Sequence, residues 1–459
     1  MHAGATDALG PCGWLRTGHV AGRVDRLDRS SDDALAEGRP RQRGDSAPSH
    51  SREQLHPCHC RKGPVPRRRS RRTRPQARRQ VSMSRIEGLR WDSWPEPPDV
   101  LLLRALLHRD DDVARAAWRA FRSQWDPDTP TPDQFRLLGA IADRIDVLDP
   151  DDPRVGMFRG MRRRNAVHAL VMLDRLDGLL TRLEELGVEP VVLKGPALAL
   201  SVYDHIGARP YGDLDVLVPY GAHERIVDAF VADGWEATHH DFAGNHGVNF
   251  RRGEAEVDLH RLLHAEIVQV GRPEQTMSVL RTEPAPRELS SGRQVRILAP
   301  TDALLHTIVH GTQRLLPHNL RWAVDADRII ATERVDWDRL VALAKTFRVS
   351  PLVHDSLVFH STLTGRPVPG GVLEQLATDR LKWLERKRLD AFHEWPEPGR
   401  FFGPASTNLS WALWRTRHLT AVGALRAVPG ELARGLGRRS AWSLPVLVLR
   451  RLGRVRLRA

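Results

Sequence analysis

Asp213 and Asp215 stand one residue apart in the run Asp213-Leu214-Asp215-Val216-Leu217-Val218. An extended chain turns successive side chains to opposite faces. Both carboxylates therefore share one side, and Leu214 and Val216 share the other. Neighbouring carboxylates repel, so burying such a pair requires a compensating cation. Mg²⁺ suits the role, because it takes one or two carboxylates together with phosphate oxygens. The run Glu256-Val257-Asp258-Leu259-His260 repeats the alternation, with Asp258 and His260 on the polar face. If the two strands are neighbours, Asp258 joins the pair. Three acids can hold two metal ions about 3.5–4 Å apart and clamp attacking and leaving oxygens in line. Asp258 could instead take a proton from an attacking hydroxyl. The expected cofactor is Mg²⁺, as two ions.

These residues need elements to position them. A helix is predicted from about Asn165 to Leu186, with Leu173, Leu176, Leu180 and Leu183 as one stripe and Gly187 as its stop. Val191-Val192-Leu193 reads as a short buried strand. It runs into Lys194-Gly195-Pro196 and a helix to Tyr203. A glycine at a strand-to-helix junction lets the backbone approach a phosphate, and a helix start favours an anion. Lys194 and Gly195 are thus nucleotide-binding candidates, and Arg209, four residues before Asp213, is another. Ala222 to Asp233 is predicted helical, with Ile226, Val227, Phe230 and Val231 inward. Strands at 247–250 and 255–259 form a hairpin turning at Arg252-Gly253. From Thr301, a plausible N-cap, the pattern is mainly helical. His306 and His310 share a helix face. No further ligand accompanies them, so they read as core or substrate-lining residues rather than zinc ligands. Trp322 and Asp325 lie one helical turn apart, and Trp322 suits a core position.

The stretch LKGPALALSVYDHIGARPYGDLDVLV, residues 193–218, resembles an uncharacterised bacterial nucleotidyltransferase-like family of the DNA polymerase beta-like superfamily. Lys194, Gly195, Tyr203, Gly207, Arg209, Asp213 and Asp215 fall on its LKG…Y…G-x-R…D-x-D pattern. The third acid would be Asp258, within EVDLH. His306, His310, Trp322 and Asp325 are similar to its later helical element. The resemblance covers roughly residues 160–335. It implies an α+β fold, a small mixed sheet with packed helices flanked by helical N- and C-terminal regions. It also implies Mg²⁺-dependent transfer of a nucleoside monophosphate from an NTP, ATP foremost, to an unknown acceptor, with release of pyrophosphate. Tyr203, His260, His306, His310, Trp322 and Asp325 would line the substrate site. The superfamily places Gly-Ser or Gly-Gly where this chain has Gly195-Pro196. Proline removes one backbone donor. Lys194 could replace it, the nucleotide could be held differently, or the site could be degenerate.

Of 459 residues, the first 82 carry 18 Lys and Arg against 8 Asp and Glu, so most of the net charge of +13 lies in one tail. Its composition reads as a disordered segment, and Met83 is a candidate start of translation. Cys12, Cys58 and Cys60 all lie there, without the spacing of a zinc module. Nucleic-acid binding through this tail is one rival reading, and a non-catalytic nucleotide-sensing protein is another. The expected organisation is the tail (1–82), a helical region (83–160), a nucleotidyltransferase-like core (161–290), a helical domain (291–400) and a basic C-terminal segment (401–459). Arginines mixed with Leu and Val across 434–459 suggest peripheral membrane contact, which Pro445 interrupts. No apolar run approaches the ~20 residues of a spanning helix, and a cytoplasmic location is expected.

Overall fold

The computed structural model describes residues 94–435 except 96, 241–245, 270, 313–319, 394–408 and parts of 410–418. The tail, its cysteines and the arginine-rich stretch from 436 onward lie outside the described residues. The two acidic runs fall on neighbouring strands of a mixed seven-stranded sheet, ordered β3-β4-β5-β2-β1-β7-β6. The strands are β1 (Val191–Val192), β2 (Leu214–Leu217), β3 (Glu236–His240), β4 (Gly247–Arg252), β5 (Ala255–His260), β6 (Thr282–Pro284) and β7 (Arg296–Leu298). The β2–β5 and β1–β7 pairs are parallel, and the others are antiparallel.

Alternation decides which face of the sheet is oily. Leu214, Val216, Val257 and Leu259 are buried in one apolar cluster. Two helices supply its other half. From α4 (Val155–Glu185) come Met172, Leu176, Leu180 and Leu183; from α6 (His223–Ala232) come Ile226 and Phe230. The acids turn the opposite way. A second cluster joins the N-terminal helices α1 (Pro97–Leu107), α2 (Asp111–Arg122) and α3 (Pro132–Leu148) to later ones. After α5 (Lys194–Ser201) and the single turn α7 (Thr276–Val279), these are α8 (Pro300–Gly311), α9 (Arg321–Ala331), α10 (Trp337–Thr346), α11 (Ser350–Thr364) and α12 (Val372–Ala377). Then follow α13 (Trp383–His393) and α14 (Ala421–Gly435). The fold is mixed α+β with helices on both sides of the strands in sequence, as expected. Among the described residues no helix is long and apolar enough to cross a membrane.

Local expectations needed correction where a long-range partner decides. Helix α4 starts at Val155, ten residues before the expected start at Asn165. Its early turns bury Phe158 and are tied to α3 by Arg159 to Asp146 (2.6 Å) and Arg162 to Asp143 (2.7 Å). Val231 faces solvent, because Ile226 and Phe230 alone make the buried face of α6. The hairpin turns at Gly253-Glu254, since Arg252 already pairs with Ala255. Thr301 is not the cap of α8. Ala299 holds that position with Pro300 following, and the Thr301 hydroxyl accepts from the Asp336 N–H at 2.8 Å.

Candidate functional site

Strands β2 and β5 run parallel with Asp215 opposite Asp258, so the two carboxylates meet on the face away from α4. The chain reaches them again from β1. The Leu193 N–H donates to the Asp215 carbonyl at 2.9 Å, and the next residue, Lys194, takes φ of 47° as the backbone swings into α5. A non-glycine residue in this left-handed region is uncommon. The turn aims the Lys194 side chain back over the strand. Its Nζ lies 2.6 Å from Asp215 Oδ1 and 3.7 Å from Asp258 Oδ2. His260, two residues beyond Asp258 on the same face, brings Nε2 to 3.1 Å from Asp215 and 3.0 Å from Asp258.

The helix start allows little else at Gly195. A Cβ there would stand 2.6 Å from the Tyr211 ring and 3.1 Å from Arg209. Gly195 thus admits the aromatic ring just ahead of the acidic strand. Pro196 occupies the third position of α5, where the N–H has no partner within the helix in any case. The missing donor therefore costs α5 nothing and subtracts only from what the helix start could offer an anion.

The four charges hold one another. Burial would lower the Lys194 pKa, but Asp215, Asp258 and Asp213 outweigh it and raise it. Burial would raise the Asp258 carboxyl, but His260 and Lys194 hold it well below the usual range. Burial would lower His260, but Asp258 above all pushes it up to about 9. Asp213 differs: it precedes β2 and opens to solvent, and the Asp215 charge, with burial adding, raises it. Among the described residues, potential metal ligands converge at Asp215, Asp258 and His260, with one ligand atom from each within 4.8 Å of the others. Asp213, two residues before Asp215, lines the same cavity.

A cavity of about 1020 Å³ opens over this cluster, with Lys194, Asp213, Asp215, Asp258, His306 and Arg321 among its lining. Its far wall is built by α8 and α9. Asp325 of α9 accepts from Nε and Nη2, one edge of the Arg209 guanidinium, at 2.8 and 2.9 Å, and from the Tyr203 hydroxyl at 2.6 Å. Trp322 is buried against Trp94 and Phe359 and also lines the cavity. His306 and His310 are pushed well below the ordinary histidine value by burial and then by Lys194, so both are neutral.

All twelve residues singled out in the sequence are described. Lys194, Gly195, Arg209, Asp213, Asp215, Asp258, His306, His310, Trp322 and Asp325 line one cavity, with Tyr203 and His260 directly behind them. Arg209 lines the cavity while its Nε and Nη2 donate to Asp325. Missed were His246, which stacks on His260 at 5.2 Å; His264, 5.8 Å from His246; and Arg321. The only sequence signals were Arg321 standing beside Trp322 and His264 following four residues after His260.

Residues 124–385, more than half of the chain, match a family described as uncharacterised nucleotidyltransferase. No curated protein matches. Among solved structures, an antigenic nucleotidyltransferase-like protein from Paracoccidioides brasiliensis is 14% identical, with a TM-score of 0.23, over 38% of this chain and 76% of its own. The antibiotic-resistance factor ANT(2'')-Ia is 12% identical, with a TM-score of 0.25, over 40% of this chain and 89% of its own. At these scores the family match alone carries the assignment.

Proposed function

Because the chain belongs to the uncharacterised nucleotidyltransferase family, we propose that it moves a nucleoside monophosphate from an NTP, ATP foremost, to an acceptor hydroxyl and releases pyrophosphate. One observation carries the reading: Asp215 and Asp258 meet across parallel strands with His260 beside both. Two facing carboxylates suit Mg²⁺, which takes one or two carboxylates together with phosphate oxygens. The Lys194 ammonium against the same oxygens marks the spot as one that holds a cation. Bound there, Mg²⁺ would supply charge neutralisation at the phosphates and a more electrophilic phosphorus.

The side chains divide the remaining work. Asp215 and Asp258 would hold the ion, and protonated His260 would brace their carboxylates. Asp258, kept well below the ordinary range, is a poor proton acceptor; Asp213, raised and open to the cavity, is a better one. The acceptor oxygen attacks the α-phosphorus, the bond from that phosphorus to the bridging oxygen breaks, and pyrophosphate leaves with the electron pair. The hydroxyl proton passes to Asp213. Lys194, once released from the carboxylates, pairs with a phosphate oxygen, and the N–H of Gly195 at the start of α5 faces the same charge. Arg209 acts indirectly: through Asp325 it fixes the loop that carries Asp213.

The test is pyrophosphate release from an NTP panel in the presence of Mg²⁺ and a small-molecule cell extract. Asp215→Asn combined with Asp258→Asn should lower it by roughly 100-fold or more. Release at the wild-type rate in that double variant refutes the assignment.

A further inference from the structure

Among the described cations that line the cavity, Arg321 stands on the far wall without a role in the mechanism. Arg321 is the first residue of α9 and half-buried. Its Nη1 donates to the Pro210 carbonyl at 2.9 Å, which ties the guanidinium to the loop three residues before Asp213. Its Nε is buried with no hydrogen-bond partner. Among the described residues no carboxylate forms an ion pair with it, whereas Arg209 pairs with Asp325 through Nε and Nη2. The start of α9 has no side-chain cap either, so the positive end of that helix adds to the same field.

The surroundings sharpen this. Burial, then repulsion from Arg209, lowers Arg321 to about 10, with Asp325 acting against the shift and Arg136 adding to it. The side chain still carries its charge at neutral pH, incompletely compensated, across the cavity from Lys194 and Asp213. A half-buried arginine that lines the cavity without an ion-pair partner fits an oxyanion, and phosphate is the common one.

We propose that Arg321 binds the terminal phosphates of the nucleotide, the pair that departs as pyrophosphate. This rests on the nucleotidyl-transfer reading and adds the residue that grips the leaving group. Lys194 and Arg321 would then hold the phosphate chain from two sides. An anionic group on the acceptor offers the same chemistry, so the test separates the two sources.

The experiment is a binding ladder: AMP, ADP, ATP and inorganic pyrophosphate titrated with Mg²⁺ present, against wild type, Arg321→Gln and Arg321→Lys, with near-ultraviolet circular dichroism as the check on folding. Wild-type affinity should climb with phosphate number. Arg321→Gln should flatten that climb. ATP and pyrophosphate should weaken by ~10–100-fold, the range for a lost charge-assisted contact, while AMP changes by less than about twofold. Arg321→Lys should recover part of the loss. An unchanged ladder in Arg321→Gln overturns the inference and leaves the anion of the acceptor as the alternative ligand. An equal loss for AMP and ATP overturns it too, since a structural role would weaken every rung alike. A wild type that binds no member of the ladder overturns the nucleotidyl-transfer reading, and this inference with it.

Discussion

At the scale of single residues, His260 gives the most direct handle on the site. Its folded pKa of about 9 lies above the ordinary 6.5. A group raised in this way stabilises the fold fully below its unfolded value, and the contribution drains away as pH climbs through the folded one. Asp258 behaves in the mirror sense: its folded pKa is depressed, so its contribution is present above the ordinary carboxylate range and is lost in acid. The thermal midpoint of the ion-free protein should therefore fall as pH is raised from 7 to 10. The fall should be shallower in His260→Gln. Parallel curves for the two proteins would show that His260 is not the bridging imidazolium. That His260 belongs with the acids was half-legible in the sequence. Alternation puts it on the face of Asp258, but only the pairing of Asp258 with Asp215 brings its ring between them.

At the scale of elements, the crossing of α8 and α9 controls the far wall of the cavity. A Cβ at Gly311 would lie 2.0 Å from the Trp322 Cβ, so the two helices can approach this closely only with glycine there. Gly311→Ala must push α9 outward, carrying Trp322 and Asp325 with it. Overpacking of this kind costs ~1–3 kcal/mol, and urea unfolding should show a loss of that size. Wild-type stability in the variant would mean that the helices do not meet as described. Local pattern served well for the strands, because a period of two survives any context, and well for the leucine stripe of α4. It failed at element ends. The early turns of α4 break the leucine spacing and are held by ion pairs to α3, while the Thr301 hydroxyl serves the start of α10 rather than its own helix. Nothing in a local window reports such partners.

At the scale of the molecule, ties between distant segments decide whether the site exists. Arg388 of α13 and Glu266, just beyond β5, are both fully buried, with their charged atoms 3.4 Å apart. Removing one partner strands the other charge in the interior. Arg388→Met should therefore cost on the order of 3 kcal/mol, read as a drop in thermal midpoint. A midpoint within one degree of wild type would show that water reaches Glu266. The pairs Arg209–Asp325 and Tyr203–Asp325 span 116 and 122 positions, which is why the sequence pattern gathered these residues as one set but could not say which touched which.

The same span has a consequence for synthesis. The acids of β2 and β5 leave the ribosome well before Asp325. Until α9 follows, Arg209 has no carboxylate to grip, and the loop ahead of Asp213 has no anchor. A nascent chain halted near residue 300 holds both acidic strands but lacks the far wall of the cavity. The cavity is thus completed late, only once α9 has been made.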